Sequence, residues 1–220
     1  MSEMTLVIGN KNYSSWSLRP WFLLKQAGIP FQEIKVRLHQ TPAQDEIQKY
    51  SPSGKVPVLI DEAVKIWESL AICEYAAERF PEKKLWPADS KARAMARAIS
   101  SEMHAGFQAL RQNMPMNCRA RVSQKEITTA VQGDIQRISE IWNECRAQYG
   151  KAGPMLFGHF SIADAMFAPV AIRFMIYGVM LDPISKAYQD AILSLPAMKE
   201  WLEAARSEKE TIPEMDALVK

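Results

Sequence analysis

Three short runs in the first seventy residues carry side chains suited to holding an anion or activating a nucleophile. The first is Asn12-Tyr-Ser-Ser-Trp-Ser-Leu-Arg19, which joins a β-prone run to a helical pattern. Ser14 falls at or just before the expected helix N-cap, with Ser17 one turn further on. Hydroxyls there cap free N–H groups, and they also present an O–H donor where the helix dipole favours negative charge. Capping alone explains a serine at this position as well as catalysis does. The second run is Ser51-Pro-Ser-Gly-Lys-Val-Pro-Val-Leu-Ile60. A proline in a strand removes a ladder hydrogen bond and marks an edge or special position. A cis Val56–Pro57 bond would turn the Val56 N–H and C=O outward, toward an extended peptide. Only about 5–6% of X–Pro bonds are cis, so this run alone decides little. The third run is Trp67-Glu-Ser-Leu70. Ser69 is expected as an N-cap whose hydroxyl and following N–H groups form an anion site, and Glu68 beside it can take an ammonium group. A ligand with an α-carboxylate and an α-amine needs that pair of neighbours, although a plain capped helix accounts for the dipeptide taken alone.

The elements that must position these runs follow from the pattern around them. Thr5–Gly9, Phe31–Leu38, Val56–Ile60 and Glu62–Trp67 read as strands, the last after a tight turn at Asp61-Glu62. Ser15–Ala27 reads as a helix with Leu18, Trp21 and Leu24 on one stripe, stopped by Gly28 and Pro30. A second helix runs from Ser69 to about Phe80. The order is β-α-β, a loop, then β-β-α. Past Pro87 the strand signal stops. Apolar residues recur at three- and four-residue steps from Ser90 to about Met114. A further helix, Gln124–Tyr149, places Ile127, Val131, Ile135, Ile138, Trp142 and Cys145 on one face. A mostly apolar helix from Ile162 and one or two more through Trp201 complete the chain. The expected domains are therefore 1–80, a linker at 81–89 containing Pro81, Pro87 and Asp89, and an all-helical part at 90–220.

Composition narrows the class without naming a chemistry. The 220 residues are 48% hydrophobic and 24% charged, ordinary for a globular chain, which excludes disorder and low complexity. Lys and Arg number 27 against 25 Asp and Glu, a formal charge of +2 that predicts neither a nucleic-acid nor an anionic-membrane partner. Cys73, Cys118 and Cys145 are widely spaced, and no Cys/His set has metal-ligand spacing, so neither a disulfide framework nor a metal is expected. Met1 to Ile8 lacks the basic start and apolar run of a signal peptide. The apolar stretch from Ile162 to Gly178 is interrupted by Asp164, Pro169 and Arg173, too broken for a membrane span. A cytoplasmic location is expected.

Taken together, in this order and before an all-helical tail, the three runs resemble the cytosolic glutathione transferase superfamily along essentially the whole chain. Ser14-Ser-Trp-Ser-Leu-Arg19 resembles the zeta-class run Ser-Ser-Cys-Ser-Trp-Arg, with Trp16 in place of the cysteine. Lys55-Val56-Pro57 is similar to the family's cis-proline segment and Glu68-Ser69 to its γ-glutamyl-binding pair. Ser161-Ile-Ala-Asp164, an S-x-x-D capping box, is similar to the one that opens a buried helix in the second domain.

The resemblance implies a thioredoxin-like N-terminal domain, a helical C-terminal domain, a homodimer and glutathione as co-substrate. It implies that Ser14 donates to the glutathione sulfur, with Ser15 as its rival one residue along and Tyr13 as another. Val56, in front of cis-Pro57, would pair with the cysteinyl backbone. Glu68 and Ser69 would hold the γ-glutamyl end, and Lys55, with His39 or Gln40, would reach the glycyl carboxylate. A free thiol of pKa near 8.5 is a few per cent thiolate at pH 7. A hydroxyl and a helix N-terminus lowering that pKa by about two units, roughly 2.7 kcal/mol, would carry the thiolate fraction past one half. Because Ser14 and Ser17 stand where a thioredoxin C-x-x-C pair would stand, disulfide exchange is disfavoured. The electrophile is expected between the loop Asn10–Tyr13 and the helix from Ser90. There His104 and Arg111, seven apart on one face, would flank Phe107 and bind an acidic substrate, or else be structural. Arg119 and Arg121 read as surface charges. The narrower activity this implies is maleylacetoacetate isomerisation, against which Trp16 counts. A non-catalytic interaction module with the same fold is the reading of another class.

Overall fold

The computed structural model describes residues 4–38, 43–122 and 127–219, and for 43–45 the backbone only. His39 and Gln40 lie outside the described residues. β1 (Met4–Ile8) is central in a four-stranded sheet of order β2-β1-β3-β4. It runs parallel to β2 (Phe31–Lys35) and antiparallel to β3 (Val58–Asp61), which in turn pairs with β4 (Val64–Trp67). The pleat sends successive side chains to opposite faces. Leu6 and Ile8 therefore join the main core, while Val7 packs with Val36, Ile47 and Val58 in a separate cluster. β3 begins two residues later than expected, because Pro57 has no N–H to give a ladder and Val56 stays outside it.

α1 (Ser15–Gln26) ends as its sequence signals, with Gly28 at φ 64 just past the cap residue Ala27. Its Leu18, Trp21 and Phe22 are fully buried, each contributing about 1.5–3 kcal/mol relative to exposure. α3 (Ser69–Arg79) packs beside it. The segment expected to be a loop between β2 and β3 contains α2 (Ala43–Tyr50). Its run Ala-Gln-Asp-Glu-Ile-Gln-Lys-Tyr is polar on average, but Ile47 and Tyr50, one turn apart, pack on one side of it in the second core cluster, an amphipathic pattern the loop reading passed over.

The helical part follows a 3-10 turn at Pro81–Lys83. A single helix over Ser90–Met114 was expected, but two form: α4 (Ser90–Ala105) and α5 (Gln108–Asn113). The break is at Gly106-Phe107. A Cβ on Gly106 would lie 2.9 Å from the Glu102 carbonyl oxygen, and Phe107 takes φ 60. α6 spans Thr129–Tyr149. Thr128 caps it, so Ile127 falls outside the helix and is exposed rather than part of its apolar face.

α7 (Ile162–Ile176) is buried along nearly its whole length and begins with the expected Ser161/Asp164 capping box. Asp164 accepts from the backbone N–H of Leu156 and of Ser161, the Ser161 hydroxyl and the Tyr188 hydroxyl. α8 (Pro183–Ser194), α9 (Pro196–Ser207) and a short α10 (Pro213–Ala217) complete the chain. α7 and α9 both pack on α1, with Trp201 edge-on to Trp21 at 5.0 Å. One core thus runs through both parts of the chain, and it fixes where the α1 N-terminus points. Among the described residues no helix is long and apolar enough to cross a membrane.

Candidate functional site

The loop before α1 ends in two serines with different partners. Ser14 is the N-cap; it donates to Ser17 Oγ at 2.7 Å and accepts from the Ser17 backbone N–H at 3.4 Å. Ser17 is fully buried, and its oxygen also accepts from the Gly9 backbone N–H at 3.1 Å. Ser15, the first helical residue, instead accepts from Arg173 Nη2 at 3.2 Å, across the junction with α7. Trp16 follows, with the guanidinium carbons of Arg19 and Arg111 at 4.4 and 4.5 Å from its ring centre. Arg19 is fully buried; its Nε donates to the Met166 carbonyl and both terminal nitrogens lack partners among the described residues. Burial, then Arg111 and Arg173, pull the Arg19 guanidinium well below its usual pKa. Cation–π contact with Trp16 and the Met166 carbonyl are its compensation.

Two cavities meet here. The smaller, about 150 Å³, is lined by Trp16, Ser53, Lys55, Val56, Pro57, Glu68 and Ser69. The Val56–Pro57 bond is cis. The N-cap of α3 is Glu68, not Ser69, and its side chain makes no cap bond. Glu68 has φ 68, a conformation costing a non-glycine residue about 1–3 kcal/mol and concentrated at functional sites. Ser69 is consequently the first helical residue. Its hydroxyl, buried and without a partner among the described residues, faces this cavity. Lys55, Val56, Glu68 and Ser69, all singled out in the sequence, are thus brought together.

The larger cavity, about 470 Å³, shares Trp16, Lys55 and Val56 with the smaller one and has Ser14 and Ser15 on its wall. Leu38, Ile47, Pro115, Met116, Ile212 and Met215 make it mostly apolar, and Arg111 and Arg173 are cationic groups on the same wall. Of the four substrate-side residues expected, Tyr13 and Arg111 line it and His104 and Phe107 do not. The break at Gly106 is the reason. It turns Phe107 into the core and moves Arg111 onto a separate helix, where it folds back to donate to the carbonyls of Gly106, Met103 and His104. His104 meets Trp16 edge-on and approaches Glu68 Oε2 at 3.3 Å. Burial is the main influence on its imidazole and lowers the pKa, with Glu68 opposing.

The Tyr13 hydroxyl, a candidate for the sulfur contact, already has three partners. It donates to Asp216 Oδ1 and accepts from Arg119 Nη2 and the Ile212 N–H, at 2.8, 2.8 and 3.1 Å. Arg119, read from sequence as a surface charge, also donates to the carbonyls of Glu208 and Glu210. Glu208 in turn accepts from the Lys11 and Asn12 backbone N–H groups. The C-terminal segment is strapped across the cavity by this network. Tyr13 and the apolar Ile212, Met215 and Leu218 line the space on this side. No periodicity could have announced the strap, since its partners lie about a hundred and two hundred residues away.

Cys73, Cys118 and Cys145 are free and buried. Burial pushes the Cys73 thiol up and the Cys118 and Cys145 thiols to about 12, so none is a nucleophile near pH 7. Among the described residues no three His, Cys, Asp or Glu side chains converge in a way that could hold a metal.

Comparisons with known proteins agree along the chain. Residues 13–79 match the family model "Glutathione S-transferase, N-terminal domain", and residues 126–204 match "Glutathione S-transferase, C-terminal domain". Glutathione S-transferase Z2 of Arabidopsis thaliana is 26% identical over 203 residues, 86% of this chain and 88% of that one. Maleylacetoacetate isomerase of Rattus norvegicus is 35% identical over 99 residues, 44% of this chain and 45% of its own length. Among solved structures, a glutathione transferase homologue from Burkholderia with bound glutathione superposes with a TM-score of 0.71 at 23% identity, covering 94% of this chain and all of that one. A tau-class enzyme from mango reaches 0.72 at 19% identity, covering 99% of each. The chain belongs to the cytosolic glutathione transferase superfamily of enzymes.

Proposed function

We propose that the chain is a glutathione S-transferase in which a serine hydroxyl at the α1 N-terminus holds the glutathione sulfur as a thiolate. The observation that carries this reading is that the two cavities share Trp16, Lys55 and Val56, with Ser14 and Ser15 on the adjoining wall of the larger one. The smaller offers the groups an extended γ-glutamyl tripeptide needs. Val56 lends a backbone outside the ladder, Ser69 a free buried hydroxyl beside helix N–H groups for the α-carboxylate, and Glu68 a carboxylate for the α-ammonium. Lys55, common to both walls, serves the glycyl end. The thiol proton leaves to water. The sulfur then bonds to an electrophilic carbon in the larger cavity, whose displaced electron pair departs with the leaving group or moves onto a conjugated oxygen. The protein contributes positioning and anion stabilisation and forms no covalent bond of its own. Saturable glutathione binding by the unaltered protein, weakened at least tenfold by Ser69→Ala with Glu68→Gln, is the expected result. Unchanged affinity in that double variant would remove the assignment.

A second, narrower reading is favoured by one observation. Arg111 and Arg173 line the larger cavity, and no Asp or Glu is on its wall among the described residues. That charge suits a carboxylate-bearing electrophile and therefore a maleylacetoacetate isomerase, in which glutathione adds to a double bond and later leaves. Turnover of maleylacetone beside a neutral aryl halide separates the two. A cytoplasmic homodimer is part of the same proposal. The edge strand β4 exposes Val64 and Trp67, 51% and 43% accessible, a patch suited to a second copy.

A further inference from the structure

Resting on that transferase reading, we propose that Ser15 is the hydroxyl that faces the glutathione sulfur and that Arg173, reaching over from α7, is the positioning residue that commits it to this role. A serine hydroxyl has one proton to give. The Ser14 proton is directed inward to Ser17 Oγ at 2.7 Å, and Ser17 is locked in place by the Gly9 N–H. Ser15 is arranged the other way round. Its oxygen accepts from Arg173 Nη2 at 3.2 Å, its proton has no acceptor among the described residues, and the residue lines the larger cavity. A hydroxyl that accepts from a cation is a stronger donor, since hydrogen bonds in a chain polarise one another.

Arg173 is held for this purpose. Its Nε donates to the Met114 carbonyl at 2.9 Å, and it is buried at the junction of the two parts of the chain. Arg111, Tyr177 and Cys118 surround it. Tyr177 gives its own proton to the Pro115 carbonyl, and neither Tyr177 nor Cys118 ionises near neutral pH. Burial and Arg111 draw the guanidinium down to about 10, so it stays cationic at pH 7. With Arg19 and Arg111 close by, the sulfur site sits in a field of three guanidiniums that favours an anion. The relay thus couples α7 of the helical part to the thiol held by the sheet-containing part.

The test is the pKa of enzyme-bound glutathione, followed by ultraviolet thiolate absorbance against pH in the full-length protein. Ser15→Ala is expected to raise it by one to two units and Ser14→Ala by less than half a unit. Arg173→Lys, which keeps a cation, and Arg173→Met are expected to raise it by about half a unit and about one unit, with kcat at pH 7 falling and glutathione affinity little changed. In a Ser15→Ala background the Arg173→Lys effect is expected to vanish, because Arg173 acts through that hydroxyl. A larger shift from Ser14→Ala than from Ser15→Ala overturns the assignment of Ser15. An Arg173 effect of equal size in both backgrounds overturns the relay and places the guanidinium on the sulfur itself. An unshifted thiol with a raised KM for the electrophile overturns it in favour of a contact with the second substrate. These outcomes leave glutathione binding intact; absence of saturable binding in the unaltered protein overturns the transferase reading as well.

Discussion

His104 Nε2 stands 3.3 Å from Glu68 Oε2, so α4 of the helical part touches the residue of unfavourable backbone that starts α3. Burial lowers the imidazole pKa, with Arg19 and Arg111 adding to the effect and Glu68 opposing it. The folded state therefore binds this proton less readily than the unfolded chain, whose histidine titrates near 6.5. The stability linked to His104 is present above about pH 6.5 and is lost as pH falls through that value toward the folded midpoint. An NMR titration is expected to place the His104 midpoint below 6.5, and Glu68→Gln is expected to lower it further. A midpoint above 6.5 would reverse the sign.

Trp16 is the residue most committed to holding charge at the site. Its ring is the neighbour of a fully buried Arg19 and of Arg111. Trp16→Ala is expected to cost about 2–4 kcal/mol in urea unfolding, through lost packing and the loss of both cation–π contacts. Trp16→Phe is expected to cost about 1 kcal/mol. Equal losses in the two variants would mean that the aromatic face is unimportant.

The strap over the larger cavity hangs on the Tyr13 hydroxyl. Tyr13→Phe leaves Asp216, Arg119 and the Ile212 N–H each short of a partner, an expected destabilisation of about 1–2 kcal/mol. Because Ile212 and Met215 line the cavity, the KM for the electrophile is expected to rise about three- to tenfold. Glutathione affinity, set in the smaller cavity, is expected to hold. Steady-state kinetics with each substrate varied in turn checks both halves.

Asp164 accepts four hydrogen bonds where α7 begins. Asp164→Ala leaves two buried N–H groups and the Tyr188 hydroxyl without an acceptor, and about 3 kcal/mol of stability is expected to go with them. Thermal unfolding measures this directly; a loss under 1 kcal/mol would contradict it.

What was readable in the sequence was whatever local rules decide. Ser14 before a helix, Gly28 after it and the S-x-x-D box at Ser161 each satisfy a backbone requirement within a few residues. Three departures remain. α2 carries an amphipathic pattern, with Ile47 and Tyr50 on its packed side, but over only eight mostly polar residues the pattern is short enough to read as a loop. The helix from Ser90 keeps its periodicity through Gly106 although the backbone turns there. Ser69 reads as a cap, yet Glu68 occupies the cap position and leaves the Ser69 hydroxyl free for a ligand. The partners of Ser15 and Tyr13 were illegible for a related reason. Arg173 and Asp216 are 158 and 203 residues away, and only the docking of α1 against the helical part brings them near.

The central claim is that glutathione is bound as a thiolate at the α1 N-terminus. Its most direct test is the ultraviolet absorbance of bound glutathione against pH in the unaltered protein. Relative to a free thiol near 8.5, the account predicts a midpoint about two units lower, with more than half of the bound glutathione ionised at pH 7. A midpoint at or above 8.5 in the saturated complex would contradict it.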